Sequence, residues 1–452
     1  MKRLSSVVLL GVSKVAFSSV ISVIDSGLDV KHPRLMEQIW SNPREISFNN
    51  IDDDQNGFID DLNGWNFAEN SNRLIDMRFL KTYTPDAKRF FDIQLKGLSG
   101  TLSSDDQEWL KTKYEDRDFM TNLMVFGNFA HGSHVAGISA ARSLSNKIMG
   151  VKLIPTESPL AATLNYINRI QGDGKGKKTK EAILKQGLSF LAGQQAQLFV
   201  NIGSYGAKLG AKTANCSFGM NSLAARNIVA PLLKLLFGGD VEESTVVEYA
   251  NFMVNEVVRQ GQSMALSNPK TLFVFAAGND GTDNEIYPIA PANIREQNTM
   301  TVAATYNDGR IANFSNFSRE LVDVAAPGVG ILSTIPGGET IAMSGTSQAA
   351  PFVAGVAAGV QALNAALTPS AVKAILMGTV DKIDLLYDKV VSGGVVNAER
   401  AYAAANFSKN HTLEQAMELA NQKVKASVRG DAFYDVNFEP YVLPLLSSLG
   451  SN

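Results

Sequence analysis

Short apolar, β-branched runs recur along this chain at long intervals, and they constrain its fold more than any other feature. Residues 20–24 form one such run; residues 271–277, 299–304 and 321–326 form others. Each is strand-length and nearly continuous in its apolar character. That pattern marks strands buried on both faces, as in a parallel sheet, more than strands with one wet face. Between the runs lie helical patterns. Residues 241–260 read as a long amphipathic helix, and the Ala/Gly/Val-rich residues 351–367 as a buried helix that allows close packing. Thr368-Pro369 starts a further helix, with threonine as the cap and proline at the first helical position. Strands alternating with helices predict an α/β fold: three layers, with a mostly parallel central sheet and helices on both faces.

Two of the runs end in polar motifs. In sheets of this kind, sites form at the carboxyl ends of the strands. Val23-Ile24-Asp25-Ser26-Gly27 brings a carboxylate to such an end, and Ala276-Ala277-Gly278-Asn279-Asp280 brings a carboxamide. Two further glycine-containing motifs are His131-Gly132-Ser133-His134-Val135-Ala136-Gly137 and Gly345-Thr346-Ser347-Gln348-Ala349-Ala350-Pro351. Together they supply an acid, a base, an amide donor and a hydroxyl. A serine hydroxyl is unreactive at neutral pH and needs an adjacent base. Imidazole titrates near neutrality and suits that task.

The chain order Asp…His…Ser and these four motifs resemble the subtilases, the subtilisin-like serine proteases. The resemblance runs from about residue 20 to about residue 405. Lesser motifs extend it. Trp65-Asn66-Phe67 resembles the family's Gly-Trp-Asp-Phe segment, Asn215-Cys216-Ser217-Phe218-Gly219 its substrate-binding edge strand, and Val324-Ala325-Ala326-Pro327-Gly328 the strand before the nucleophile. The resemblance implies a serine endopeptidase acting on protein or peptide substrates through an acyl-enzyme. Ser347 would be the nucleophile at a helix start. His131, the first histidine of its motif, would be base and then acid. Asp25 would hold the imidazole, and Asn279 would donate to the oxyanion. Ser133 stands where threonine is usual and Gln348 where methionine is common. His134 is then expected to be a packed, hydrogen-bonded core residue. A substrate in extended form would add as a strand between two exposed edges, Ser217-Phe218-Gly219 and Ala276-Ala277-Gly278. Cys216 is expected to be buried. His32 and His411 lack motif context and are expected at the surface.

A second signal is oxygen-rich. Asp52-Asp53-Asp54-Gln55-Asn56-Gly57-Phe58-Ile59-Asp60 matches the first nine positions of a calcium loop. Side-chain oxygens fall at Asp52, Asp54, Asn56 and Asp60, glycine at the sixth position, and the Phe58 carbonyl at the seventh. The twelfth position is Asn63 in place of glutamate, so the bidentate ligand must come from elsewhere, with Asp61 a neighbouring candidate. The subtilase resemblance also implies structural calcium. A metal-free Asp-turn is the competing reading.

Rival chemistries fit less well. Gly345-Thr346-Ser347-Gln348-Ala349 is not a Gly-x-Ser-x-Gly elbow, and the lipase order Ser…Asp…His fails. His131-Gly132-Ser133-His134 lacks the His-Glu-x-x-His of zinc proteases. A binding module on the same fold is the remaining alternative. It gains from the position of Asp25, too near Met1 for the inhibitory N-terminal domain of many secreted subtilases. Three routes stay open there: maturation without such a domain, use of the C-terminal segment in its place, or a start upstream of Met1.

The expected organisation is a segment 1–19, a peptidase domain 20–405, and a helical or flexible tail 406–452, with residues 411–428 as one helix. Residues 75–124 and 155–199 look like insertions. In the first, Ser104 and Gln107 form a capping box, with Trp109, Leu110, Tyr114, Leu123 and Met124 as an apolar face. It is either surface decoration or a flap beside the cleft. In the second, the Gly/Lys-rich residues 171–178 lack phosphate-loop spacing and read as a solvated loop open to self-cleavage. Residues 1–19 combine a basic start, an apolar run interrupted by Lys14, and Ala16-Phe17-Ser18. They read either as a signal peptide, placing the protein outside the cell or in the periplasm, or as a native segment of a cytoplasmic protein. The single cysteine excludes an internal disulfide framework, and a net charge of -3 gives no reason to expect nucleic acid or anionic membranes. No apolar stretch suggests a membrane span, and oligomeric state is not legible.

Overall fold

The computed structural model describes residues 18–156, 177–239, 241–427 and 439–443. Its centre is a nine-stranded sheet. Strand β1 (Ser19–Asp25) lies inside it, parallel to both β3 (Asn146–Lys152) and β4 (Ala211–Cys216). β2 (Gly64–Asn66) flanks β3, while β5 (Leu272–Ala276), β6 (Thr299–Thr305) and β7 (Val324–Pro327) continue in parallel from β4. Beyond β7 lies β11 (Gly394–Val395), with β10 (Asp381–Lys382) antiparallel to it. A separate hairpin joins β8 (Ile331–Thr334) to β9 (Thr340–Met343). All four predicted apolar runs are strands. Their continuous apolar character has the expected cause, since the period-two alternation feeds two different cores. Leu272, Val274 and Ala276 of β5 face one core, and Phe273 and Phe275 face the other.

Helices α4 (Lys177–Lys208), α5 (Ser222–Phe237) and α6 (Glu243–Ser267) cover the phenylalanine side. Helices α7 (Thr346–Leu363), α8 (Pro369–Gly378), α9 (Ala398–Phe407) and α10 (Leu413–Lys423) cover the other. The three layers of the predicted α/β fold are therefore present. Thr368 caps α8 as expected, accepting from the Ala371 N–H. The amphipathic pattern of α6 runs further than residue 260, with Met264 and Ala265 buried. Of the loop expected at 171–178, residues 171–176 lie outside the described residues, and Lys177 and Lys178 begin α4 instead.

The insertion at 75–124 builds α1 (Pro85–Leu98), α2 (Ser104–Glu115) and the first third of α3 (Arg117–Ala140). Phe90, Phe91, Leu123, Phe126 and Phe129 form its own apolar core, closed by Ile341 and Met343 of the β8–β9 hairpin. The predicted capping box is displaced by one residue. Ser103, not Ser104, caps α2 by accepting from the Asp106 N–H. Helix α3 runs without a break through the His131 motif, so that histidine lies in mid-helix and not at a helix start.

Helices α3 and α7 cross at Gly355, where an added Cβ would lie 2.6 Å from the Ser139 carbonyl oxygen. Alanine in a helix gains about 1 kcal/mol over glycine in propensity. Overpacking against a fixed backbone atom costs about 1–3 kcal/mol. The clash should win. Gly355→Ala is expected to lower the thermal midpoint, measured by circular dichroism; a raised midpoint would show that this crossing is loosely packed.

Candidate active site

Asp25 ends β1, and its fully buried carboxylate is bound at one oxygen only. Oδ1 accepts from the Ser26 N–H and lies 2.7 Å from His131 Nδ1, while Oδ2 is buried without a partner. An ionised carboxylate can only accept, so Nδ1 carries the proton and Nε2 holds the lone pair. Two glycines bring this pair together. Gly27 has φ +123°, and its carbonyl occupies the place where Gly132 would carry a Cβ. A side chain at Gly132 would push α3 away from the end of β1, and one at Gly27 would run into the Leu74 carbonyl.

Ser347 is the second residue of α7. Its hydroxyl donates to the Ser217 carbonyl at 3.3 Å, and Ser217 Oγ donates back to the Ser347 carbonyl at 3.1 Å. No Ser347–His131 hydrogen bond is formed. Pro351 explains the second contact. The Ser347 carbonyl would ordinarily accept from the N–H four residues on, and proline has none. The freed carbonyl goes to Ser217. As a first-turn residue, Ser347 also keeps a backbone N–H that the helix cannot satisfy.

Asn279 lies just past the end of β5 and is half-buried. Its Oδ1 accepts from both the backbone N–H and the hydroxyl of Thr346, at 2.9 and 2.8 Å. These two donors fix the amide flip and turn Nδ2 outward. The orienting role of Thr346 was not read from the sequence, although the residue sits inside the motif.

The six positions expected to flank a substrate are all buried. β4 ends at Cys216 and β5 at Ala276, both interior strands, so Ser217-Phe218-Gly219 and Ala277-Gly278 lie just past the paired part of the sheet. Phe218 packs against Phe199, and Ala277 lies in a small core beside β7.

Of the other expectations, Cys216 is buried and its thiol is pushed upward by burial and by Asp25. His411 is exposed. His32 is not: it is buried, its Nδ1 accepting from the Arg34 N–H and its Nε2 lying 3.0 Å from the Glu339 carbonyl. The turn after β1 buries it in the angle with the loop between β8 and β9, a long-range contact that lacks a local sequence signal.

The acidic loop gathers a different set from the one its spacing implied. Asp52 and Asp54 come together with Glu45, their oxygens within 4.8 Å of one another. Glu45 Oε2 is buried without a partner, and burial, with Asp61, Asp54 and Asp53 nearby, raises the pKa of its carboxyl. Asn56 turns away, accepting from the Phe58 N–H and donating to Asp61. Asp60 instead binds the N–H groups of Asn49 and Asn50, and the Phe58 ring packs on Trp65, Phe67 and Tyr205. Glu45, seven residues before the loop, falls outside the repeat that drew attention to it.

The carboxylate–imidazole pair, the serine at a helix start and the fixed amide define a class, the serine hydrolases built on a parallel sheet. Comparison narrows it: the model of the subtilase family matches residues 18–410, and the chain belongs to that family, the subtilisin-like serine proteases. Subtilisin BL of Lederbergia lenta is 30% identical over 271 residues, 60% of this chain and 77% of that one. An extracellular protease of Xanthomonas campestris pv. campestris is 36% identical over 184 residues, 39% of this chain and 29% of that one. Subtilisin-like protease 2 of Plasmodium falciparum is 36% identical over 140 residues, 30% of this chain and 10% of that one. The match thus spans less than a third of each of the last two.

His134 fits its expected place. It is fully buried, Nε2 lies 3.0 Å from the Ile341 carbonyl, and burial depresses its pKa from 6.5 to about 3. A depressed histidine favours the folded state above its unfolded pKa. That stability is lost as pH falls from 6.5 towards 3, with a slope approaching about 1.4 kcal/mol per unit. His134→Gln should flatten this acid limb, read from thermal midpoints across pH; an equally steep limb would assign it to other groups.

Proposed function

We propose that the chain is a serine endopeptidase in which Asp25, His131, Ser347 and Asn279 carry the reaction. The observation that supports this best is the 2.7 Å contact of His131 with Asp25, which leaves Nε2 to act as the base. In the reaction, Ser347 Oγ leaves the Ser217 carbonyl and turns to His131. Nε2 removes its proton as Oγ attacks the scissile carbonyl. The oxyanion then meets the Ser347 N–H and Asn279 Nδ2. His131 returns the proton to the departing amine, and water releases the acyl group by the same route. An extended peptide would reach this point along the carboxyl ends of β4 and β5, making backbone contacts at 217–219 and 276–278. We place the protein outside the cell or in the periplasm. The signal-like segment 1–19, most of which lies outside the described residues, and the extracellular relative support this; a cytoplasmic location follows if that segment is native. Among the described residues no helix is long and apolar enough to cross a membrane.

A fluorophosphonate probe should label the protein, and Ser347→Ala and His131→Ala should abolish labelling. On a peptide substrate, Asn279→Ala should lower kcat by about 10²–10³ with little change in KM. Labelling that survives Ser347→Ala would falsify the assignment.

We also infer that Glu45, Asp52 and Asp54 hold a structural calcium ion. Three convergent carboxylates and the orphaned Glu45 oxygen suit a hard cation that takes several oxygen ligands. The ion's part is to neutralise this cluster. Calcium at a hundred times its dissociation constant should then stabilise the fold by about 2.7 kcal/mol. The thermal midpoint should rise with calcium in the wild type and not in Asp54→Ala or Glu45→Gln. An unchanged wild-type midpoint at saturating calcium would end the idea.

A further inference from the structure

Residues 439–443 lie far in sequence from the His131 and Asn279 motifs, yet they run through the candidate site. Val442 forms a parallel bridge with Ser344, three residues before Ser347. The Leu443 carbonyl accepts from Asn279 Nδ2 at 3.2 Å. That nitrogen is the outward-facing donor fixed by Thr346. The side chains explain how the stretch is held. Leu443 is buried in the core of the helical insertion, beside Gly127 of α3, where an added Cβ would fall 2.5 Å from Leu443 Cδ2. The Tyr441 ring meets Phe90 edge-on at 5.2 Å and lies 6.4 Å from Tyr114. Its backbone N–H donates to the buried Gln94 Oε1 at 2.7 Å. Helices α1, α2 and α3 thus each contribute to one docking groove.

We propose that residues 439–443 inhibit the enzyme in cis, docked on the insertion as an internal pseudosubstrate. The proposal rests on reading Asn279 as the oxyanion donor. A donor occupied by the Leu443 carbonyl cannot receive the carbonyl of an incoming substrate. The occupant's chemistry suits a group that is held and not turned over. The bond that follows Leu443 leads to Pro444, a tertiary amide whose ring replaces the N–H of an ordinary substrate. The idle nucleophile agrees, since Ser347 donates to Ser217 and not to His131. Four residues argue against an incidental contact: Gln94 and Gly127 are shaped to the stretch on one side, and Tyr441 and Leu443 fill the groove on the other.

The test compares rates of fluorophosphonate labelling in full-length proteins. Tyr441→Ala and Leu443→Asp release the stretch from its own side, and Gln94→Ala weakens the groove. If the docked form makes up about 90–99% of molecules, release should raise the labelling rate about 10–100-fold. A synthetic peptide of residues 439–446 added to the released variants should slow them again. Labelling at the wild-type rate in all three variants, still abolished by Ser347→Ala, would overturn the inhibition and leave the catalytic assignment standing. Failure of every form to label, with midpoints showing folded protein, would overturn both.

Discussion

The bond between Asp25 and His131 is the constraint on which the site depends, and it is made possible by what is missing beside it. Gly132 has no side chain, so α3 settles onto the end of β1 with the Gly27 carbonyl in the space of a Cβ. The bond is also costly. Asp25 is buried with one oxygen unpartnered, a penalty of about 1–3 kcal/mol or more for a charged group. It persists because β1 is fixed by parallel neighbours on both sides, and Asp25's own carbonyl is held by the N–H groups of Leu153 and Ile154. The sheet supplies the rigidity that the buried carboxylate consumes.

A second device acts at α7. Proline inside a helix ordinarily costs about 3 kcal/mol or more. Here Pro351 opens one turn at the serine, and the Ser217 hydroxyl takes the carbonyl it frees. Part of the cost is thereby recovered, and the start of α7 is tied to the end of β4. The same turn carries Thr346, whose two hydrogen bonds orient Asn279 at the end of β5. Ser347 and Asn279 are therefore positioned by one helical turn between two strand ends, so neither can shift without disturbing the other.

Much of this was legible in the sequence because strand ends and helix caps are local. The apolar runs marked β1, β5, β6 and β7, and the glycine-rich motifs marked the residues that meet at their ends. What escaped was set by distant partners. His32 reads as a surface residue until Glu339 covers it. Asp60 fits a calcium spacing, but the backbone of Asn49 and Asn50 claims it, and Glu45 replaces it from outside the repeat. The positions just past β4 and β5 read as exposed from their sequence, but each is buried beyond an interior strand. The insertion was visible as extra sequence. That its last helix and the helix of the base are one continuous rod was not, because no residue at the join announces it.

That rod bears on how firmly a tail must bind to matter. The middle of α3 carries His131 against Asp25, and the turns before it carry Phe119, Phe126 and Gly127 in the groove filled by Leu443. A tethered segment meets its groove at an effective concentration in about the millimolar range. An intrinsic dissociation constant of about 0.1 mM, weak for a free peptide, would then keep about nine molecules in ten docked. One leucine, one tyrosine and two backbone hydrogen bonds are enough for that. Weakness also has a use, because a tightly held tail could not be displaced by a substrate or removed by proteolysis. The few contacts made by 439–443 are thus what a reversible block requires, and the insertion supplies them without altering the contact of His131 with Asp25 or of Asn279 with Thr346.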